Sequence, residues 1–268
     1  YGSVGAARRT VPFESETFSL EIPHAAVPSV WGNREERKAW QGPKASNPSL
    51  NFDLAPEMGI GDVLKSLFGT SSASKFGTFS SYLHTFTVRQ VAEPTSLYAR
   101  MKEVGTFIYD YTGLVPDSVE FSYPQKENVK CAISFVGADR KSGTAFTGTP
   151  GTHAPFTPFG NMAVLIDGTA SADIRDPKIM FKNNAMAHVL AGTNSAASKA
   201  SVGAFEVTGE FILYLQDEVQ LNKFLNKTSI TLQVRLQGGT FDNAGTGSGT
   251  AKYECNFRFP NVEYSAFP

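Results

Sequence analysis

The chain has 268 residues, of which 41% are hydrophobic and 12% aromatic, a composition that supports a buried core and excludes a disordered chain. Its formal net charge is −1 at pH 7, so it lacks the basic field of proteins that bind nucleic acid over their whole surface. No apolar run reaches the ~18 residues that a transmembrane helix needs, and we therefore expect a globular protein with no membrane contact.

Alternation of apolar and polar residues with a period of two recurs along the chain. It predicts antiparallel strands with one buried face, because strands of a covered parallel sheet have continuous apolar runs instead. The stretches with this pattern are 17–22, 50–54, 97–102, 119–123, 129–135, 211–215, 230–236 and 252–259. The sequence therefore predicts a mainly β fold, an antiparallel β-sandwich or barrel, in a single domain over residues 1–268.

Two short segments have helical periodicity and predict one or two short flanking helices. In GIGDVLKSLFGTSS, residues 59–72, Asp62 is the expected N-cap and Gly69 the expected C-cap. In QDEVQLNKFLNKT, residues 216–228, apolar residues recur at helical spacing after two acidic residues. Each helix is long enough to cover a sheet edge or a barrel end, and too short to form a layer of its own.

Four segments lack both periodicities and are predicted as an N-terminal arm and long loops. They are 1–12, 24–48, 138–161 and 238–250. Loops this long in a compact domain are usually functional or ordered by a partner. Trp31, Trp40 and Phe156 lie in two of them, and we predict that these aromatic residues form a surface for a partner, such as another subunit. The alternative is that they fold back onto their own domain.

Histidine and cysteine residues do not form a pattern typical of a metal site or a catalytic site. The histidines are scattered without the spacing of metal ligands. Cys131 and Cys255 lie inside strand patterns, where a cysteine behaves as a small apolar residue. We expect both to be structural, with a disulfide between them as the alternative.

Two further motifs resemble reactive sites only superficially. The segment GTGSGT, residues 245–250, lacks the lysine and the following helix of a phosphate-binding loop, so we interpret it as a hairpin loop. Asp167, Asp173 and Asp176 lie close together in the sequence, and Asp167 and Asp176 begin the turn-forming dipeptides DG and DP. The alternative roles of these residues are calcium ligands or the acid pair of a hydrolase. We expect no enzymatic activity, no cofactor and no bound metal.

The order of elements resembles that of a known family. The helix GIGDVLKSLFGT, the stretch FSSYLHTFTV and a strand that reaches a corner at Tyr109 to Gly113 are followed by paired strands at 119–123 and 129–136. The second half continues with NMAVLIDG, IRDPKIMFKNNA, FEVTGEFILYL, the short helix DEVQLNKFL and SITLQVRL. Over about residues 50 to 260 this order resembles the tail tube proteins of long-tailed, siphophage-like bacteriophages.

The resemblance implies a β-sandwich or barrel of the phage tail tube type and a structural role in the virion. Such subunits assemble in the bacterial host cytoplasm into stacked hexameric rings, which form the hollow conduit for genome ejection. Their partners are the terminator, the distal tail protein and the tape measure protein. The long loops 24–48 and 148–160 exceed those of a minimal tube subunit, so the alternatives are a tail terminator, a distal tail ring protein or a tube subunit with surface decoration. We expect deletion of the 24–48 tip to block ring stacking.

A tube subunit exposes one sheet face to the lumen, where DNA must slide without binding tightly. The polar residues Thr231, Gln233 and Arg235 on one strand are candidates for this face, as are Tyr98, Arg100 and Lys102 on another. The alternative is that these faces point outward to solvent. A different function also stays open, a β-sandwich binding module for carbohydrate or a host surface with the loop aromatic residues as stacking platforms.

Overall fold

The computed structural model is mainly β and antiparallel, as the alternation predicts. The residues that it describes are 10–25, 40–56, 58–75, 82–88, 94–102, 107–145, 154–171, 173–189, 196–215, 218–241 and 251–266.

Among the described residues, the first half of the chain contributes ten strands and one helix. They are β1 (Ser15–Glu16), β2 (His24–Ala25), β3 (Trp40–Gln41), β4 (Ser49–Asp53), α1 (Ile60–Phe68), β5 (Gly69–Lys75), β6 (Tyr82–Val88), β7 (Leu97–Lys102), β8 (Ile108–Ser122), β9 (Lys130–Val136) and β10 (Asp139–Ser142). The second half contributes β11 (Met162–Ile166), β12 (Thr169–Ser171), β13 (Ile174–Lys182), β14 (Met186–His188), β15 (Lys199–Ser201), β16 (Glu206–Leu213), α2 (Val219–Leu225), β17 (Ile230–Phe241) and β18 (Ala251–Val262).

These strands form two main sheets. The large sheet has the order β1-β4-β9-β8-β13-β16, with β7 and β10 paired to the first half of β8. The small sheet has the order β12-β11-β17-β18. Three further strand pairs, β2–β3, β5–β6 and β14–β15, are separate from both sheets.

The two sheets face each other across a cluster of phenylalanine rings. Phe121 and Phe181 of the large sheet have ring centroids 4.9 and 5.6 Å from that of Phe257 in the small sheet. Phe68 of α1 adds a ring 5.2 Å from Phe181. Because offset and edge-to-face ring pairs contribute beyond their buried area, this cluster joins both sheets and α1 into one β-sandwich core.

Strand β8 pairs with different strands in its two halves. Its first half pairs with β7 and β10, and its second half pairs with β9 and β13. Gly113 lies at the change of partners with a φ of 68°, a conformation that a residue with a Cβ adopts only with strain. The expected corner at Tyr109 to Gly113 is therefore a bend within one 15-residue strand.

The strand expected at 17–22 is absent. Only Ser15–Glu16 pairs with β4, and residues 17–20 are outside any strand. The Phe18 ring packs edge-on against Tyr111 with centroids 4.9 Å apart, and the Tyr111 hydroxyl donates a hydrogen bond to the Phe18 carbonyl oxygen. The alternation here reflects side chains that pack on the core without a continuous backbone ladder.

Of the two caps expected for α1, the C-cap is confirmed and the N-cap is wrong. Gly69 is the C-cap of α1 in the left-handed conformation, and its N–H donates to the Lys65 carbonyl oxygen. The N-cap is Gly59, whose carbonyl oxygen accepts the Asp62 N–H at 3.1 Å. Asp62 lies in the first turn instead, where its charge still complements the helix dipole.

Candidate functional site

The outer surface of β17 and β18 carries an unbroken set of polar side chains. Ile230, Leu232, Val234 and Leu236 point into the core, so the alternate residues of β17 point away from it. We call the outward set the polar face. It consists of Thr231, Gln233, Arg235 and Gln237 on β17 and Lys252, Glu254, Asn256 and Arg258 on β18.

Amide groups of the polar face bond to one another across the two strands. The Gln233 Nε2 donates to Asn256 Oδ1 at 3.1 Å, and the Asn256 Nδ2 donates to Glu254 Oε1 at 3.4 Å. At one end, Thr231 Oγ1 donates to the Pro260 carbonyl oxygen at 3.3 Å. These bonds hold the amides in fixed positions and occupy part of their capacity to bind a ligand.

The polar face has three basic residues and one acidic residue. Arg235, Lys252 and Arg258 form no ion pair with any residue in the described part of the chain. By contrast, Lys130 and Lys178 on the outer face of the large sheet both have carboxylate partners, at 2.5 Å and 3.1 Å respectively. Within the described ranges, the three cations of the polar face are therefore uncompensated.

Of the two groups of candidate residues, the structure brings Thr231, Gln233 and Arg235 together on this face, as their spacing predicts. Tyr98, Arg100 and Lys102 lie on β7, which belongs to the other sheet. Of these, Lys102 is exposed, and Tyr98 Oη is buried without a hydrogen-bond partner among the described residues.

Arg100 has a partner that the sequence does not reveal. Its Nε donates to Asp110 Oδ1 at 2.6 Å and its Nη2 donates to Asp110 Oδ2 at 2.9 Å. This two-point hydrogen bond raises the pKa of the Arg100 guanidinium. Asp110 lies directly opposite Arg100 on β8, so this ion pair can be identified only from the strand register. The ion pair holds the Arg100 side chain against its own subunit.

The acidic residues of the 167–176 segment have separate partners. Asp167, at the β11–β12 turn with a φ of 51°, accepts hydrogen bonds from Lys223 Nζ at 2.7 Å and Thr231 N at 2.8 Å. The Lys223 hydrogen bond, followed by that of Thr231, lowers the pKa of Asp167. Asp176 pairs with Arg175 at 3.1 Å. Within the described ranges, no three metal-ligating side chains converge on one point.

The contact between Asp167 and Lys223 fixes α2, which buries none of its residues. A second bond, from Tyr264 Oη to Gln220 Oε1 at 3.0 Å, joins α2 to the segment after β18. Helix α2 is therefore held to the small sheet by polar contacts.

Phe156 folds back onto its own domain, the second of the two alternatives for the loop aromatic residues. It is 5% exposed, its N–H donates to the Leu54 carbonyl oxygen, and its own carbonyl oxygen accepts the Val129 N–H. A Cβ at Gly238 would lie 2.6 Å from the Phe156 ring, so the glycine makes room for it. As a buried residue, Phe156 is not a stacking platform for a sugar ring.

For the other two loop aromatic residues, Trp31 and Trp40, the structure does not describe the side chain. Trp31 lies outside the described residues. The backbone of Trp40 pairs with Ala25 in the β2–β3 pair, and its side chain is not described. Both remain predicted contacts.

Cys131 and Cys255 are free thiols on opposite sheets. Burial raises the pKa of the Cys255 thiol to about 12 and raises that of Cys131 even further. Both cysteines thus take the expected structural role.

Neither helix in the described part of the chain is long and apolar enough to cross a membrane.

Among curated proteins, nothing matches the sequence. A family model described as phage tail tube protein matches residues 2–261, which confirms the resemblance inferred from the order of elements.

Proposed function

Because the chain belongs to the phage tail tube protein family, we propose that it is the subunit of stacked hexameric rings that form the conduit for genome ejection. Its role is structural and its place is the virion tail. The observation that carries the proposal is the family match over nearly the whole chain. The ring size and the conduit are inferences from that family.

The edges of the two sheets support self-assembly. Strand β18 has 12 residues and pairs only with β17 within the described chain. Strand β16 is likewise the last strand of the large sheet. A long unpaired edge is a template for another strand, so adjacent copies can continue the sheets around a ring. At the far edges of the two sheets, β1 and β12 have only two and three residues, and two unlike edges suit a head-to-tail ring.

We assign the polar face, with Thr231, Gln233 and Arg235, to the lumen. Amides that already bond to one another offer few free donors, and DNA that moves past must not be held. Three cations in the face give a weak, salt-dependent attraction to phosphates rather than a specific site. Arg100 is excluded from this role by its ion pair with Asp110, so we place β7 away from the lumen.

Further partners follow from the place in the tail. We propose contacts with the terminator, the distal tail protein and the tape measure protein, and assembly in the host cytoplasm before the virion is released. The whole chain would act as a single domain in these contacts.

Negative-stain microscopy of the concentrated protein, together with mass spectrometry of purified virions, tests the proposal. We expect hollow tubes built of stacked six-fold rings, and the chain as an abundant virion component. A protein that stays monomeric under all assembly conditions and is absent from virions contradicts it. Rings with another symmetry would contradict the hexameric state but would still support the role as a tube subunit.

A further inference from the structure

Phe159 has the largest exposed fraction of any large apolar side chain in the described chain, 83%. It lies in the same loop as Phe156, and the two aromatic residues have opposite surroundings, since Phe156 is 5% exposed. A single apolar residue on a surface is ordinary by itself. Phe159 differs because the turn around it, residues 157–161, holds it in place. We call this segment the Phe159 turn.

Hydrogen bonds fix the backbone of the Phe159 turn. The Asn161 N–H donates to the Pro158 carbonyl oxygen at 3.0 Å. The Asn161 side-chain amide donates to Thr157 Oγ1 at 3.2 Å and to the Phe159 carbonyl oxygen at 3.3 Å. Gly160 closes the turn with a φ of 70°, which glycine adopts without strain. A fixed aromatic residue loses little conformational entropy when a partner covers it.

Both sides of the Phe159 turn are anchored to the sandwich. Before the turn, the backbone of Phe156 bonds to Leu54 and Val129 at the end of the large sheet. After the turn, the Gln237 N–H of β17 donates to the Asn161 carbonyl oxygen at 2.9 Å. Residues 154–161 include no charged side chain, so a partner can cover the turn without burying a charge.

The Phe159 turn lies at one end of the small sheet. Met162 at the start of β11 is opposite Leu236 of β17, and the other end of β11 leads to the Asp167 turn, which Lys223 of α2 contacts. In a ring whose small sheets continue through their edges, the ladder hydrogen bonds run around the ring and the strands run along the tube. The two ends of the small sheet then face the rings above and below.

We infer that Phe159 is the apolar anchor between successive rings and inserts into a subunit of the next ring. The facing end of that subunit carries Leu225 of α2, which is 65% exposed, and we expect Phe159 to contact it. The contact joins opposite ends of two copies, so it repeats along the tube. A rigid aromatic side chain that becomes buried in an interface is the usual form of a binding hot spot. This inference rests on the proposed self-assembly and on the assignment of the polar face to the lumen.

Photochemical cross-linking in assembled tubes tests the contact. With p-benzoylphenylalanine in place of Phe159, irradiation should give covalent dimers, and mass spectrometry should join position 159 of one copy to residues 218–229 of another. The matched control carries the same group in place of Met180, which points outward from the middle of the large sheet. It should give no more dimer than irradiated wild-type tubes. Cross-links from position 159 that stay within one chain contradict the contact.

Substitutions provide a second measurement, in which microscopy over a concentration series counts rings and tubes separately. Phe159→Ser should raise the protein concentration needed for tubes about tenfold or more. Single rings should still form, because their contacts are at the sheet edges. Phe159→Leu keeps an apolar side chain and should form tubes at nearly the wild-type concentration, as should the control Met180→Ser. The thermal unfolding of the monomer should be unchanged in Phe159→Ser, since the side chain is exposed.

The outcomes separate this inference from the proposed function. If Phe159→Ser forms tubes at the wild-type concentration and position 159 gives no dimers, the anchor is wrong and the tube role stands. If Phe159→Ser abolishes rings as well as tubes, Phe159 acts within a ring and the contact between rings is wrong. If the wild-type chain never assembles and is absent from virions, the proposed function and the anchor both fall.

Discussion

Two arginines on strands, Arg100 and Arg235, have different surroundings. Arg100 is held by Asp110 through two hydrogen bonds, and Arg235 has no ion pair in the described chain. We therefore expect Arg100→Glu to lower the thermal midpoint of the monomer, because it places two carboxylates side by side under the protein surface. Arg235→Glu should change unfolding by about 0.5 kcal/mol or less and alter ring assembly or DNA passage instead.

Circular dichroism melts of both variants, with microscopy of their assemblies, check this prediction. If Arg235→Glu unfolds the monomer, Arg235 is a structural residue and the polar face is not free to line a lumen. A melt of Arg100→Glu that matches the wild type would mean that the ion pair contributes nothing.

Asp167 gives a pH dependence whose sign follows from its lowered pKa. Folding favours the charged carboxylate, so its contribution is fully present above the ordinary pKa of 3.8 and is lost as the pH falls through the lower folded value. Because Asp167 is about half exposed, we expect a contribution of about 0.5 kcal/mol.

Denaturant unfolding of the wild type and Asp167→Asn should therefore differ at about pH 7 and converge towards about pH 2. The Lys223→Met variant should give the same pattern, since it removes the main partner of Asp167. A difference that stays constant over this range would assign the effect to something other than the charge of Asp167.

At the scale of elements, the bend of β8 depends on Gly113. Its φ of 68° is unfavourable for a residue with a Cβ, so Gly113→Ala should destabilise the fold by about 1–2 kcal/mol. Gly239→Ala is the control, because a Cβ there meets nothing within 4 Å. Urea unfolding of both variants measures the difference. Equal stability of the two variants would show that β8 can bend elsewhere.

Strands with a buried face were predictable, and the β5–β6 hairpin, which has few covered residues, was not. Strands β9, β17 and β18 follow the apolar alternation of their sequences closely. In the β5–β6 hairpin, β5 consists mostly of small polar residues and Phe86 of β6 packs against the core, so the pattern of a buried face is too short to detect. Strand β10 lies within the segment predicted as a loop, because its pairing with β8 depends on contacts far along the chain.

The same limit applies to the candidate site. Period two alone places Thr231, Gln233 and Arg235 on one side of β17. The partners of Arg100 and Asp167 are on other elements, and the burial of Phe156 depends on β4 and the residue before β9. Those facts require the three-dimensional register, which a single sequence does not contain.

At the scale of the whole molecule, Phe181 links the two sheets and α1. It is 2% exposed and lies among the rings of Phe68, Phe121 and Phe257. Phe181→Ala should therefore lower the free energy of unfolding by about 3–5 kcal/mol, in a single transition, because both sheets share this core.

Guanidinium unfolding followed by fluorescence and by circular dichroism tests the prediction. Phe159→Ala, at a side chain that is 83% exposed, should stay within about 0.5 kcal/mol of the wild type. Two separate transitions in the Phe181→Ala variant would mean that the sheets unfold independently.

A tail that has left its host meets dissolved oxygen with no cellular reductases to repair oxidised sulfur. Thiols oxidise mainly as thiolates, and burial keeps Cys131 and Cys255 protonated because it raises the pKa of both. We therefore expect the two free cysteines of each subunit to oxidise slowly in air. A particle that waits a long time for its next host gains durability from the same packing that holds its sheets together.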